Sequence, residues 1–131
     1  MVESNNQTKL LLKFLLNSKL QKAKYLLENN ANLVFPANKI FSKLIEQTNI
    51  DSAIFLCELY VSYSDKFLIN DPIDLHYQDN SFVRLACKEL RLDILDKIKT
   101  LFPHYPLLDR IKYLQACMLP YNYRKIVEYF R

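Results

Sequence analysis

The sequence predicts an all-α protein, folded as a short solenoid of about four stacked helix-turn-helix repeats. Two observations indicate this class. Apolar residues recur at three- and four-residue steps along most of the 131 residues, as they do in amphipathic helices. A similar order of small and large side chains then returns after about thirty residues, which is typical of repeat proteins. No stretch has the pattern of a long parallel strand, so an α/β sheet is disfavoured.

The first helix pair is predicted over about residues 8–30. Thr8 is placed to cap a helix that runs to Asn17, and a second helix follows over about residues 19–29. Pro36 prevents helix from continuing into the next pair and favours extended backbone just before it.

The second helix pair is predicted over about residues 38–63, with helices at 38–47 and 51–62. Residues 64–79 then form the longest irregular segment, which contains Pro72 and alternating apolar residues. We expect a loop or a short hairpin-like finger in this segment.

The third helix pair is predicted over about residues 80–102, capped by Asn80 or Ser81. Two prolines then break the chain before the fourth pair, at about residues 107–131. Its first helix is expected over 107–118, and its second reaches the last residue. All four pairs are predicted to belong to a single domain, residues 1–131.

A shift of about thirty residues aligns the first two helix pairs. One hairpin of short helices cannot bury both of its apolar faces, whereas stacked hairpins bury them together. The identical residues at this shift are Lys9 and Lys39, Lys13 and Lys43, Ala23 and Ala53, Leu26 and Leu56, and Glu28 and Glu58. The small residues expected where helices approach closely are Ala23, Ala53, Ala86 and Ala116.

The segment from Asp79 to Leu95 resembles one ankyrin repeat, whose consensus opens its first helix with Thr-Pro-Leu-His-x-Ala. Consensus-like residues are Ser81 at the Thr position, Val83 at the Leu, Ala86 at the Ala, and Leu92-Asp93-Ile94-Leu95 at Leu-Glu-Val-Val. Departures from the consensus are Phe82 at the Pro, Arg84 at the His and Leu90 at the turn Gly.

The chain is therefore similar to the divergent ankyrin-repeat arrays of large DNA viruses and some protists. The resemblance covers about 120 residues in pattern and about 25 in motif. It implies a non-enzymatic protein–protein interaction module, a viral or effector-type adaptor that binds a host protein through its first helices and inter-repeat loops. A tetratricopeptide array is the nearest alternative, but its period is about 34 residues and its Trp and Gly signals are absent.

The composition excludes several classes of function. The chain has no glycine, where an average chain of this length has roughly nine. A P-loop and a dinucleotide-binding fingerprint both require glycine, so neither is present. Asparagine is the usual substitute for glycine at helix ends. The asparagines at suspected helix ends are Asn17, Asn29, Asn30, Asn49, Asn70 and Asn80.

The three cysteines, Cys57, Cys87 and Cys117, lie inside apolar helical patterns. We expect these thiols to be reduced and buried. Reduced thiols favour an intracellular, reducing location, which is the cytoplasm or, for a protein that acts in a host cell, the host cytoplasm or nucleus. Residues 1–8 are polar and lack the apolar core of a signal peptide. No apolar run is long enough to span a bilayer, so we expect no membrane partner.

The sequence offers little catalytic chemistry, and we expect neither an enzyme nor a bound metal or cofactor. His76 and His104 have no second ligand at metal-binding spacing. A Cys87–His104 nucleophile pair is conceivable, but packing explains Cys87 better. Asp71 and Asp74 form a carboxylate pair in a loop, where capping is as natural as chemistry.

Basic residues recur in register on successive first helices and carry the binding hypotheses. The net charge is +4, a mild excess. A basic stripe can bind an acidic protein or, as the alternative function, a nucleic-acid backbone. It can equally be a solvated face that keeps the stack soluble. The expected partner-binding residues are Lys39, Lys43, His76, Tyr77, Asp79, Arg84, Lys88 and Tyr105.

Nine tyrosines suggest either interface contacts or cover for the protein's own core. Those fitting inward or half-buried positions are Tyr25, Tyr60, Tyr113 and Tyr129, and those at turns are Tyr63, Tyr77, Tyr105 and Tyr121. The last helix has little polar cover on its apolar side. We therefore expect self-association through the C-terminal helix pair, or continuation as a longer array.

Overall fold

A computed structural model describes residues 2–29, 36–63 and 71–131, and side chains from residue 7 onward. All regular structure in these ranges is helical, so the all-α class is confirmed there. The helices are α1 (Val2–Leu16), α2 (Leu20–Glu28), α3 (Ala37–Glu46), α4 (Ile50–Ser62), α5 (Tyr77–Lys88), α6 (Leu92–Leu101), α7 (Leu107–Tyr113) and α8 (Pro120–Tyr129). A single 3₁₀ turn, Gln115–Cys117, lies between α7 and α8.

Helix limits differ most from the prediction at α1 and α7, and α8 ends at Tyr129 and not at Arg131. Helix α1 begins at Val2 and not at Thr8, because no proline or glycine interrupts the segment before Thr8. Helix α7 stops at Tyr113 and not at residue 118, and Met118 is already extended. Pro120, the first residue of α8, disfavours helical backbone immediately before it.

The chain divides into two compact units, Met1–Asp74 and Leu75–Arg131, each with two helix pairs. The predicted single domain over residues 1–131, and the solenoid it implies, remain predictions. In the first unit α1 packs against α2, α3 and α4, and α4 also packs against α2 and α3. In the second unit α5 packs against α6, α7 and α8.

Each unit buries the apolar faces that the helical period predicts. In the first unit, residues four apart on α1 point inward together with the small Ala23 and Ala53. Fully buried side chains of the first unit include Leu11, Leu15, Leu27, Phe41, Leu44 and Leu56. Those of the second unit include Phe82, Val83, Ala86, Ile94, Leu95, Ile98 and Ile126.

Three of the four hairpins use the same left-handed turn. The left-handed residues are Ser18, Thr48 and Leu90, with φ of 57°, 54° and 51°. At the first turn, Lys19 N donates to Phe14 O at 2.8 Å and Ser18 N donates to Leu15 O at 3.1 Å. This is the Schellman pattern that normally ends in glycine. The corresponding bonds recur at the other two turns.

The expectation that asparagine supplies the left-handed conformation at these turns is wrong. In the first turn Asn17 precedes the left-handed Ser18, and in the second turn Asn49 follows the left-handed Thr48. Asn29 has φ −106°. The side-chain amides of Asn17 and Asn29 instead donate to the carbonyls of Lys13 and Tyr25, both at 2.8 Å, and each carbonyl also accepts from the backbone N of the same asparagine. Asn80 alone among the predicted set is left-handed, and Asn30 and Asn70 lie outside the described residues.

One asparagine in each unit connects neighbouring hairpins. Asn49 Nδ2 lies 3.3 Å from both Leu15 O and Leu16 O at the end of α1. Asn122 Nδ2 donates to the carbonyls of the last two residues of α5, at 3.1 and 3.0 Å. We call these contacts the asparagine clamps. They fix the second hairpin of each unit against the first helix of that unit.

Several burial predictions are wrong, most of them in the last hairpin. Ala116 and Cys117 are exposed, because they lie in the 3₁₀ turn and not on a packed helix. Cys57 and Cys87 are buried, as predicted. Among the tyrosines expected to point inward, Tyr60 is half-buried. The exposed ones are Tyr25, Tyr113 and Tyr129.

Candidate partner-binding surfaces

Part of the predicted loop or finger caps a helix of the first unit. Asp71 O accepts from Asn38 N at 2.9 Å, and the Asp71 carboxylate accepts from Lys39 N at 2.8 Å. Asp74 N donates to the Asn38 side chain at 3.0 Å. Pro36, at the helix boundary, offers no side-chain cap. Asp71 therefore caps α3, and residues 64–70 of the predicted finger lie outside the described residues.

In the second unit the chain enters α5 through an unusual left-handed turn. Gln78, Asp79 and Asn80 have φ of 51°, 57° and 58°, so regular helix begins at Ser81. Asn and Asp tolerate this conformation better than other residues with a side chain, yet each such residue still costs roughly 1–2 kcal/mol. Surrounding contacts must therefore hold the turn in place.

These contacts bring several of the expected partner-binding residues together. Tyr105 Oη donates to Asn80 Oδ1 at 2.7 Å, and Asn80 is only 4% exposed. The His76 ring packs against the Tyr105 ring in a tilted arrangement, with an interplanar angle of 53° and centroids 5.0 Å apart. Arg84 Nη2 donates to Gln78 O at 3.2 Å. We call these five residues the Tyr105 cluster.

The remaining expected residues of this unit lie beside the cluster. Tyr77 and Asp79 are exposed on the left-handed turn itself, and the Tyr77 carbonyl accepts from Ser81 Oγ at 3.3 Å. Lys88 is exposed one helical turn beyond Arg84. No local pattern indicates the hydrogen bond between Tyr105 and Asn80, since the two residues are 25 positions apart in the sequence.

A separate basic stripe lies on the first unit. Its four lysines are exposed on α1 and α3, which pack against each other, and none forms an ion pair with a described residue. The stripe consists of Lys9, Lys13, Lys39 and Lys43. Two acidic groups lie near the stripe. Glu46 follows Lys43 on α3, and the Asp71 carboxylate accepts a hydrogen bond from Lys39 N. The local positive field is correspondingly reduced.

The thiols are poorly suited to nucleophilic chemistry. Burial raises the pKa of Cys87 to about 12, and burial with the nearby Glu58 charge raises the pKa of Cys57. The thiolate is the reactive form, so both thiols are unreactive near neutral pH. His104 is exposed in the turn before α7, whereas Cys87 is buried on α5. The Cys87–His104 pair therefore gains no support.

The second unit also carries an apolar groove that sequence reasoning only partly identified. It lies between α7 and α8 and has a volume of about 210 Å³. The prediction named the apolar side of α8 but not the α7 side chains that complete the groove. Its lining residues are Leu108, Ile111, Lys112, Ile126, Val127, Phe130 and Arg131.

Comparison with protein-family models, with curated proteins and with solved structures finds no match for this chain. No described helix combines the length and apolar character that crossing a bilayer requires. Within residues 2–29, 36–63 and 71–131, no three His, Cys, Asp or Glu side chains group as a metal site would need.

Proposed function

We propose that this chain is a non-enzymatic protein-binding module, a divergent ankyrin-like array that serves as a viral or effector-type adaptor for a host protein. The Tyr105 cluster is the observation that carries the proposal. It combines an arginine, a histidine and a tyrosine at a strained turn with the exposed Tyr77 beside it, and tyrosine and arginine are residue types that dominate binding energy at interfaces. Backbone strain also concentrates at functional sites.

The repeated hairpins supply the second support. Three hairpins share one turn geometry, and an asparagine clamp in each unit sets one hairpin against the next. Such regular placement gives a rigid surface, which lowers the entropy lost on binding. The expected binding residues of α3 and α5 are exposed or half-buried at the surface of their own units.

The test is affinity purification from the native cell with a matched pair of variants. The test variant combines Tyr77→Ala, Arg84→Gln and Lys88→Gln. The control variant carries Tyr25→Ala with the two nearby lysines of α2, Lys22 and Lys24, changed to Gln, and Tyr25 is 70% exposed. Both variants lose one aromatic ring and two positive charges.

We expect a partner that binds the unmodified chain and the control but is reduced at least about tenfold with the test variant, as loss of a hot spot predicts. Circular dichroism must show both variants folded. Equal recovery by all three chains would remove the face formed by Tyr77, Arg84 and Lys88 from the binding surface.

Nucleic-acid binding through the basic stripe is the second candidate, favoured by four exposed lysines on adjacent helices. If all four contact phosphates, the slope of log K against log salt is about −3 to −4. Fluorescence anisotropy with duplex DNA and with RNA at several salt concentrations measures that slope. Absence of binding at low salt excludes this candidate.

We also propose an intracellular, reducing location, in a cytoplasm or a host nucleus. The support is the state of the cysteines. All three are unpaired, and two are buried where no oxidant reaches them easily. Microscopy of the tagged protein in the native cell tests this location.

A further inference from the structure

The groove between α7 and α8 has a preformed apolar floor. Ile111 and Ile126 are almost fully buried at its base, whereas Leu108 on its wall is 41% exposed. Phe130 is held from a third helix, because Lys99 Nζ of α6 lies 5.6 Å from the centroid of its ring. The groove is therefore built by packing within the second unit and does not require a ligand to form.

The rim of this groove carries charge of one sign. Lys112 and Arg131 line it, and Lys99 lies over Phe130. Helices α7 and α8 contain one acidic residue each, Asp109 and Glu128, and neither lines the groove. An occupant thus meets apolar side chains in the centre and the basic side chains of Lys112 and Arg131 at the edge.

We propose that this groove binds an amphipathic helix of another protein, with acidic residues flanking its apolar face. A helix laid into a groove between two helices is a common mode of peptide recognition, with apolar anchors about one turn apart. Acidic flanks complement Lys112 and Arg131, which favours encounter and orientation. Two copies of this chain facing each other through the groove would bring basic rims together, so the charges disfavour self-association.

This inference is independent of the Tyr105 cluster and of the partner proposed for it. The probe is a fluorescently labelled synthetic helical peptide with leucines at positions i, i+3, i+4 and i+7 and glutamates beside them. A matched peptide has lysine at every glutamate position. Fluorescence anisotropy measures the binding of each peptide to the full chain.

We expect the glutamate peptide to bind at least about tenfold more tightly than the lysine peptide, as two exposed ion pairs allow. Leu108→Glu places a charge on the exposed wall and is expected to abolish binding. The double substitution Lys112→Glu and Arg131→Glu is expected to reverse the preference between the peptides. A control with Lys22→Glu and Lys24→Glu on α2 leaves it unchanged.

Three results would overturn the proposal. The first is that neither peptide binds to the chain. The second is that both peptides bind equally before and after the rim substitution, which would show that charge plays no part in binding. Alternatively, light scattering without peptide shows a concentration-dependent dimer that Leu108→Glu abolishes, which assigns the groove to a second copy of the chain. Far-UV circular dichroism confirms that each variant is folded before its binding is interpreted.

Discussion

Replacing Asn49 by alanine is expected to lower the free energy of unfolding by about 2 kcal/mol. Asn49 has two roles in the structure. Its Oδ1 accepts from Ser52 N at 3.2 Å and so caps α4, and loss of such a cap costs about 1 kcal/mol. Its Nδ2 contacts Leu15 O and Leu16 O at 3.3 Å each, and two long hydrogen bonds contribute roughly another 1 kcal/mol.

A second substitution separates the two roles. Serine at position 49 keeps a cap acceptor but cannot reach the carbonyls of α1, so Asn49→Ser is expected to lose only about 1 kcal/mol. The matched control is Asn17→Ala, which removes an exposed amide bond within its own helix. It is expected to change stability by less than about 0.5 kcal/mol.

Urea unfolding followed by far-UV circular dichroism measures all three variants, with the slope of the transition compared as a check on the two-state assumption. The reasoning fails if Asn49→Ser is as destabilising as Asn49→Ala, because the inter-hairpin bonds would then contribute nothing separable. It also fails if Asn49→Ala costs no more than the Asn17 control.

Four further predictions follow from single side chains. Thr48→Gly relieves a β-branched residue with φ 54° and should raise stability by about 1 kcal/mol in the same urea assay; a loss would contradict it. Ser52→Ala removes a buried hydroxyl without a hydrogen-bond partner and should be neutral or stabilising by up to about 1 kcal/mol, so clear destabilisation would refute it. A thiol reagent should label Cys117 rapidly and the two buried cysteines only after unfolding, and three fast thiols would show that the core is open. The hydrogen bond from Arg91 lowers the pKa of the Asp93 carboxyl below its ordinary value of 3.8. This exposed pair should therefore add a few tenths of a kcal/mol to the free energy of unfolding above pH 3.8 and lose that contribution in stronger acid, and Asp93→Asn should remove this pH dependence of stability.

The helices were largely predictable because their signals are local. Apolar spacing located α2, α3, α4 and α6 to within about a residue at most ends, and it identified much of the buried core. Leu90 was predicted to replace a turn glycine, and the structure places it in the left-handed conformation that glycine adopts at least cost.

Contacts between distant segments were beyond the reach of sequence reasoning. Asp71 caps α3 from 32 residues away, and nothing local distinguishes it from any other loop aspartate. Extending the repeat pattern to Ala116 and Cys117 failed for a related reason. Alignment by composition cannot register that α7 ends at Tyr113 and that a 3₁₀ turn, Gln115–Cys117, follows it.

Backbone strain in the described residues occurs in two settings, the hairpin turns and the entrance to α5. Six described residues have positive φ, and none is glycine. Three of them make the turns of three of the four hairpins, so closing those helix pairs accounts for their energetic cost. The other three, Gln78, Asp79 and Asn80, follow one another at the entrance to α5 and close no hairpin. The contacts of Asn80 with Tyr105 and of Gln78 with Arg84 hold this turn, which keeps the Tyr105 cluster in one arrangement. These contacts account for part of the cost, and if the cluster binds a partner as we propose, the turn is the part of the fold where we expect binding to have shaped the sequence.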